Sequence, residues 1–585
     1  MRDLTNPTVP SRDKDAAGGS SGGVPVGRLD RADREDAAAR SARAEAELGA
    51  AVDAELQAFA DAEKARLGIG DADQWTENFG AGFRAADRAH TTILVSGLTL
   101  SHDTFIVAGL RGLGYRVQAL ECPDTLALAY GKEFGSRGQC NPTWFTVGNL
   151  VKSLDLMRKG GMTTEEIIER YVFVTANACG PCRFGSYVTE YRKALRDAGF
   201  EGFRVILFQQ TGGLDQMIDG DSGLVLNKPF FLRVLLAIVV GDVLNSISYR
   251  VRPYERVEGA TDAAIERCRA MVVKTFETPG RLHELPLTLL RVRRELGQVA
   301  VDRTRIKPKV SMIGEFWAMT TEGDGNYKMP RFLEAEGAEV EVQTVTAWIL
   351  YMLWEVSFDT RRRMGLNGED GGPWGLKGVD ARQRIATMWF ADKAMRAVFQ
   401  AIAHTMGLPG KELADMNELA EIAARHYHNE NRGGEGHMEV AKLILNTVHS
   451  HVNMTLSVKP FGCLPSSGVS DGVQSIVTAL HPNAIFLPIE TTGDSAVNAY
   501  SRVQMMLFKA RAQASAEVDA ALERAGVDMD QVQGLIARHP WLGRALHQSR
   551  QGAGCTTANV AAEAGRWLRP LRGLRKLRGL VAARA

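Results

Sequence analysis

Cysteine is scarce in this chain, and its scarcity excludes one class of protein. There are seven cysteines among 585 residues, far too few for the disulfide framework of a small secreted protein. The formal net charge is +1, so no overall electrostatic field favours nucleic acid as a partner. We therefore expect a protein with reduced thiols, which are available as metal ligands, and without a nucleic-acid partner.

The chain also has few long apolar runs. Its beginning, MRDLTNPTVPSRDKDAAGG, has no apolar core of signal-peptide length. The most apolar run extends from Phe230 to Leu244, but Arg233 and Asp242 interrupt it, and it is shorter than a membrane span. The sequence therefore predicts a cytoplasmic protein with no transmembrane segment.

Phosphate-binding loops of the common kinds are missing. The glycines of Gly109-Leu-Arg-Gly112-Leu-Gly114 are in the wrong order for a dinucleotide-binding turn, and they follow a predicted helix that a glycine would end. No Gly-x-x-x-x-Gly-Lys-Ser/Thr segment occurs in the chain. We do not expect this polypeptide to bind ATP through a loop of that type.

Strand-like and helical segments alternate over most of the chain, which predicts an α/β fold with parallel sheets. The strand-like runs lie at 91–98, 115–121, 171–178, 203–209, 309–317, 338–345, 454–462 and 484–491. We expect two Rossmann-like domains with a cluster-binding cleft between them. The predicted order is a disordered tail (1–28), a helical N-terminal extension (29–88), a first α/β domain (89–255), a helical connector (256–306), a second α/β domain (307–515) and a helical C-terminal segment with a basic tail (516–585).

The segment Cys179-Gly-Pro-Cys182 has two possible functions. It has the spelling of a thioredoxin-type dithiol, and it also has the two-residue gap of cysteines that bind one metal ion. The residue directly before Cys179 is not the tryptophan of a thioredoxin motif. About ninety residues of the same predicted domain also come before Cys179. A dithiol exchanger would also leave the other glycine- and proline-flanked cysteines without a role, so metal binding is favoured.

Position supports the metal interpretation. Cys122, Cys179 and Cys463 each follow a predicted parallel strand, at the edge where open α/β sheets bind ligands. Cys140 and Cys182 each open a predicted helix, whose positive end stabilises a thiolate. Zinc remains an alternative, although structural zinc sites usually pair two close cysteine doublets. Cys268, in a helical segment, is expected to be a buried apolar residue.

Three segments resemble a known family. They are GKEFGSRGQCNPTWFTVGNLVK, NACGPCRFGSYVTEYRKAL and KPFGCLPSSGVSDGVQS. They are similar to iron–sulfur proteins of the 2-hydroxyacyl-CoA dehydratase and benzoyl-CoA reductase type, and most of all to the activase-related members. The resemblance covers about residues 90 to 510. It implies an oxygen-sensitive cluster between α/β domains and a separate ATP-hydrolysing activase with an actin/Hsp70-like fold.

The resemblance also implies a set of ligands. The cluster would be held by Cys140, Cys179, Cys182 and Cys463, with Cys122 as a possible fifth ligand. A single [4Fe–4S] cluster is preferred. A double-cubane cluster, which needs more thiolates and would have to recruit Cys555, is the alternative.

Two carboxylates are candidate catalytic residues. Glu315 and Glu490 both end predicted strands at the presumed ligand edge, where either could act as a base or cap the next helix. His437, in a predicted turn before a helix, is a weaker candidate.

The expected function is low-potential electron transfer, coupled to ATP hydrolysis by the separate activase. The protein would be a reductase or dehydratase component acting on an acyl thioester, and it could form a homo-oligomer. A non-catalytic cluster carrier is the main alternative, and thiol–disulfide exchange by Cys179 and Cys182 is a further one. The basic tail after Trp567 is expected to be solvated.

Overall fold

The chain forms two compact units, Met1–Asn78 and Phe79–Ala585. The predicted disordered tail and most of the basic tail lie outside the residues that the structure describes. The computed structural model describes residues 31–67, 82–177, 182–209, 213–215, 222–364, 375–376, 378–431, 434–448, 451–467 and 471–568.

The first unit contains one long helix, α1 (Arg31–Leu67), within the predicted N-terminal extension. Alanine, glutamate and arginine dominate its sequence, and all three are good helix formers. Its apolar side chains Leu48, Leu56 and Phe59 are exposed.

The second unit begins with a five-stranded sheet. Its strands follow the order β2-β1-β3-β4-β5; the first four are parallel, and β5 runs antiparallel to β4. The strands are β1 (Thr92–Val95), β2 (Val117–Ala119), β3 (Tyr171–Asn177), β4 (Arg204–Gln209) and β5 (Gly213–Asp215).

Eight helices accompany and follow this sheet. The helices that contain Ala127 and Gly148 approach each other closely. A Cβ atom on Gly148 would lie 1.9 Å from the carbonyl oxygen of Ala127, so only glycine fits there. This contact fixes the α3–α4 pair, and Cys140 lies directly before α4. The helices are α2 (Leu100–Arg111), α3 (Thr125–Phe134), α4 (Asn141–Lys159), α5 (Thr164–Arg170), α6 (Tyr187–Asp197), α7 (Lys228–Val251), α8 (Ala260–Glu277) and α9 (Leu285–Leu296).

A second sheet has four parallel strands in the order β7-β6-β8-β9. Every residue of the inner strand β8 is buried, as expected for a parallel strand covered on both faces. The strands are β6 (Lys309–Gly314), β7 (Glu339–Val342), β8 (Met454–Pro460) and β9 (Phe486–Thr491).

Helices cover this sheet and continue to the end of the described chain. Residues 514–568 form a separate apolar core in which α17 packs against α18 and a last helix at 556–568. The helices are α10 (Phe316–Thr320), α11 (Met329–Ala335), α12 (Val345–Arg363), α13 (Ala381–Met406), α14 (Met416–Ala423), α15 (Gly436–Val448), α16 (Asp471–Leu480), α17 (Ala496–Ala525) and α18 (Met529–Arg538).

The prediction of an α/β chain with two parallel sheets is confirmed. Each of the eight predicted strand-like runs contains one strand of the two sheets. The antiparallel strand β5 was not predicted, because its three residues carry too short a pattern to be recognised.

The predicted connector forms α8 and α9, but these helices are more than a joint. Together with α2 and α7 they share one hydrophobic core with α12, α13, α14 and α15. Helices of the first sheet region and helices that follow β7 therefore pack around one core. We call this group of helices the helical layer.

The buried carboxylate of Asp242 is a polar link within this layer. From α7 it accepts hydrogen bonds from the backbone amides of Val345 (2.8 Å) and Thr346 (2.7 Å) at the start of α12. Its other neighbour is His102 of α2, whose Nε2 lies 3.3 Å away. One side chain thus satisfies the free amides of α12 and touches a helix of the first sheet.

One described helical stretch, Lys228–Tyr254, is long and apolar enough to cross a membrane by length and composition alone. Half of the most apolar part of this stretch is buried within the protein. Arg233 and Asp242, which interrupt the run, are both buried and hydrogen-bonded. The absence of a membrane span stays a prediction.

Replacing Asp242 with alanine tests this link. The variant leaves two buried amides of α12 without an acceptor, so we expect it to lose about 2–4 kcal/mol of stability. Asp415→Ala is the matched control. Asp415 also accepts hydrogen bonds from two amides at a helix start, but as the N-cap of α14 at an exposed position, where a cap contributes about 1 kcal/mol. Urea unfolding followed by circular dichroism measures both. Equal losses in the two variants would contradict the account.

Candidate functional site

The three described cysteines of the predicted ligand set lie where strands end and helices begin. Cys140 is the residue before α4, and Cys182 precedes a 3₁₀ turn (Arg183–Ser186) that leads into α6. Cys463 lies in the turn after β8. Cys140 and Cys463 are buried and Cys182 is partly buried. Cys179 lies outside the described residues.

Arg183 joins the three loops. Its Nε donates a hydrogen bond to the carbonyl oxygen of Gly462 (3.0 Å), and its Nη1 donates to the carbonyl oxygen of Gly138. The side chain that follows Cys182 therefore binds the residue before Cys463 and the loop before Cys140. Five donors in a rigid fork make arginine suited to holding two separate carbonyls.

A direct backbone contact joins two of these loops. The amide of Asn141 donates to the carbonyl oxygen of Phe461 (3.0 Å). Gly462 has a φ of +76°, and a Cβ atom on it would lie 3.2 Å from the Cα of Cys140. Glycine is required there both by the backbone conformation and by the close approach.

The thiol of Cys140 has two hydroxyl neighbours. Its Sγ lies 3.1 Å from Oγ1 of Thr143 and 3.2 Å from Oη of Tyr187. Tyr187 is buried, so this sulfur is shielded from solvent on the side of α6. Hydrogen bonds to the sulfur ligands are one of the factors that set the reduction potential of a thiolate-bound cluster.

Burial keeps these thiols protonated in the absence of metal. It raises the pKa of Cys182 to about 12, with smaller contributions from Glu435 and Glu315. It also raises the pKa of Cys140 and of Cys463. In disulfide exchange the attacking thiol, which would be Cys179, needs a lowered pKa; the raised pKa of Cys182 therefore leaves the dithiol interpretation open.

Glu315 is the carboxylate that the three thiols share. The charge of Glu315 contributes to the raised pKa of Cys140, Cys182 and Cys463 alike, after burial as the largest cause. Its Oε2 also accepts a hydrogen bond from the amide of Ala318 (2.8 Å), so it caps α10. The helix cap that the sequence allowed is therefore observed, and the role of Glu315 as a base stays a prediction.

Two further carboxylates accompany Glu315, and sequence reasoning missed them as site residues. Glu435 and Glu439 lie at the start of α15, and both are buried. Glu435 accepts a hydrogen bond from the amide of Phe316, and Oε1 of Glu439 accepts one from Oγ of Ser466 (2.6 Å). Their spacing of four residues places them on one helix face, but nothing in the sequence indicates that this face meets the cysteine loops.

Glu315 and Glu435 hold their protons more strongly than usual. Burial raises the pKa of Glu315 to about 7, and the nearby Glu439 adds to the effect. Burial and the charges of Glu315 and Glu439 raise the pKa of Glu435 as well. Carboxyl groups of this kind can donate or accept a proton near neutral pH.

The remaining sequence candidates, Glu490 and Cys122, have other surroundings. Glu490 is exposed on β9, and no hydrogen bond or ion pair within the described residues links it to the cysteine loops. Cys122 has other charged neighbours: burial, followed by Glu322 and Asp103, raises its pKa to about 12.

The contacts of Cys555 and His437 are with other residues than the three cysteine loops. Sγ of Cys555 donates a hydrogen bond to the carbonyl oxygen of Lys307 (3.4 Å). Lys307 lies just before β6, whereas Glu315 lies just after the other end of this strand. His437 is buried, and its ring stacks on that of Trp354 at 4.8 Å. Burial lowers the pKa of His437 to about 4.

The donor set fits a thiolate-held metal cluster in its chemistry. Three thiols from distant parts of the chain occupy loops in mutual contact, and Gly462 lets the backbone come close. Within the described residues, no group of three His, Cys, Asp or Glu side chains has the arrangement of a metal site. Cys179, the fourth expected ligand, is not among the described residues.

Replacing Glu315 with glutamine tests its pKa. A carboxyl group with a pKa of about 7 in the folded protein and an ordinary one in the unfolded chain stabilises the fold at low pH, and this contribution is lost as the pH rises through about 7. The melting temperature of the wild type should therefore fall, relative to Glu315→Gln, between about pH 5 and about pH 8. Glutamine preserves the acceptor that caps α10.

Glu490→Gln is the matched control, because Glu490 is exposed. Its melting temperature should follow the wild type at every pH. If Glu315→Gln also follows the wild type throughout, the pKa of Glu315 is not raised.

The chain matches no protein-family model, and no curated protein matches it.

Proposed function

We propose that the protein is an iron–sulfur protein of low-potential electron transfer, with a [4Fe–4S] cluster held by Cys140, Cys179, Cys182 and Cys463. One observation carries the proposal: Arg183, next to Cys182, binds the loops of Cys140 and Cys463 and so joins three cysteine loops. The two sheets would belong to Rossmann-like domains with the cluster in the cleft between them. A double-cubane cluster is the alternative.

The cluster would supply single low-potential electrons when bound. The protein's own residues would do the rest. Buried loops would exclude water and oxygen, and Thr143 and Tyr187 would donate hydrogen bonds to the sulfur of Cys140. Glu315 would deliver or accept a proton beside the cluster, since its pKa of about 7 allows both at neutral pH.

The reaction would be a reduction or dehydration of an acyl thioester in the cytoplasm. A separate ATP-hydrolysing activase with an actin/Hsp70-like fold would provide the electron, as the resemblance of the cysteine segments implies. The buried carboxyls Glu315, Glu435 and Glu439 support a catalytic role, because a protein that only carries electrons has no need of proton donors next to its cluster.

A non-catalytic cluster carrier is the second candidate. Phe461 and Leu464, on either side of Cys463, are 47% and 43% exposed. Exposed apolar side chains next to a redox centre favour the docking of a partner protein. An activase that supplies electrons would use the same surface, so this observation is compatible with both candidates.

Removing single cysteines tests the proposal. Protein purified without oxygen should contain about four iron and four sulfide ions per chain and give an EPR signal after reduction. Cys140→Ala and Cys463→Ala should each lose most of the iron and the signal, because a ligand is lost from a buried site. Cys268→Ala is the control, since Cys268 is buried in the helical core away from these loops.

Iron content that is unchanged in both Cys140→Ala and Cys463→Ala would defeat the ligand assignment. Wild-type protein that contains no iron, but whose Cys179 and Cys182 cycle with dithiothreitol, would support thiol–disulfide exchange instead.

A further inference from the structure

A cavity of about 370 Å³ lies on the helical layer, between α8, α9 and the short turn that joins them. All of its lining residues belong to residues 271–291, and none of them belongs to the cysteine loops or to α10 or α15. It is therefore a separate feature from the site described above. Its volume is within the range of small-molecule sites, about 300–1,000 Å³.

The wall of this cavity carries three cations. They are Lys274, Arg281 and Arg291. Arg281 forms an ion pair with Glu284, with 3.2 Å between Nε and Oε1. Among the described residues, the side chains of Lys274 and Arg291 have neither an ion pair nor a hydrogen bond. The cavity therefore has two positive charges that are not neutralised from within the protein.

The floor of the cavity is neutral and polar. Thr275 and Thr288 are buried there, with 2.8 Å between their hydroxyl oxygens. Thr275 donates to the carbonyl oxygen of Met271 (3.2 Å), so the hydroxyl groups are engaged with the protein. Because Glu284 is the only carboxylate among the lining residues and Arg281 neutralises it, nothing in the lining opposes the entry of an anion.

We propose that this cavity binds a phosphate group, whether it belongs to a small phosphorylated molecule or is free inorganic phosphate. A lysine and an arginine without other partners provide a point charge and a planar fork, the two groups that proteins use for phosphate. The volume leaves room for an organic part beside the phosphate, and the partly buried Met271 offers it an apolar contact. This site does not depend on the proposed electron-transfer function.

Titration calorimetry of the full chain tests the proposal. The probes are inorganic phosphate and ribose 5-phosphate, with sodium chloride at the same ionic strength as the blank. The variants are Lys274→Ala and Arg291→Ala. Each removes one unneutralised charge, so each should weaken phosphate binding by about tenfold, the value of one charge-assisted hydrogen bond. Arg291→Lys retains the charge without the fork and should weaken it less.

Arg294→Ala is the matched control. Arg294 is exposed on the same helix, α9, and does not line the cavity, so its loss should change binding less than about twofold. Tighter binding of ribose 5-phosphate than of inorganic phosphate would assign the site to an organic phosphate, and equal binding would assign it to the free ion.

Two results would overturn the proposal. In the first, neither probe gives saturable heat above the chloride blank. In the second, Arg294→Ala weakens binding as much as Lys274→Ala and Arg291→Ala do, which would mean that the phosphate responds only to the general charge of α9. Because Lys274 and Arg291 are exposed, the variants should fold, and thermal unfolding followed by circular dichroism checks this.

Discussion

The contact between the loop after β8 and the start of α4 is the constraint on which the candidate site depends. These segments are more than three hundred residues apart, yet the amide of Asn141 is bonded to the carbonyl oxygen of Phe461. Gly462 makes this approach possible, and Arg183 adds the third loop by binding carbonyls on both sides. Without these contacts, the loops that carry Cys140, Cys182 and Cys463 would have no reason to meet.

The second property of the site is that its acidic groups are buried together. Cys463 and Glu315 follow β8 and β6, Glu435 and Glu439 lie at the start of α15, and Cys140 and Cys182 directly precede α4 and the 3₁₀ turn before α6. Burial disfavours their charged forms, so most of them hold protons more strongly than they would in water. A bound metal would reverse this for the thiols, because ligation requires thiolates and releases their protons. A buried acidic cluster of this kind is therefore consistent with a site that is completed by a cation.

The sequence predicted the sheets better than it predicted the site. Runs of β-branched and apolar residues located eight strands, because short runs of this kind between turn residues are typical of covered strands. That the cysteines after strands and before helices mark a metal site stays a prediction. The two glutamates could not be separated, since Glu315 and Glu490 have the same position relative to a strand. In the fold, Glu315 follows β6 and its amide is bonded to Val458 of β8, whereas Glu490 is exposed on the outer strand β9.

Glu435 and Glu439 were not predicted because their role depends on tertiary structure alone. The helical connector was predicted as a joint for a similar reason. Its amphipathic pattern shows that α8 and α9 bury one face, but not that this face shares a core with α12 to α15. Local patterns specify elements, and the partners of each element depend on contacts between distant parts of the chain.

Anomalous X-ray diffraction at the iron absorption edge, from crystals grown without oxygen, tests the central claim most directly. The account predicts an iron peak bonded to the sulfur atoms of Cys140, Cys182 and Cys463, with Cys179 as the further ligand. Crystals with no iron at this position, and with a disulfide between Cys179 and Cys182, would contradict it.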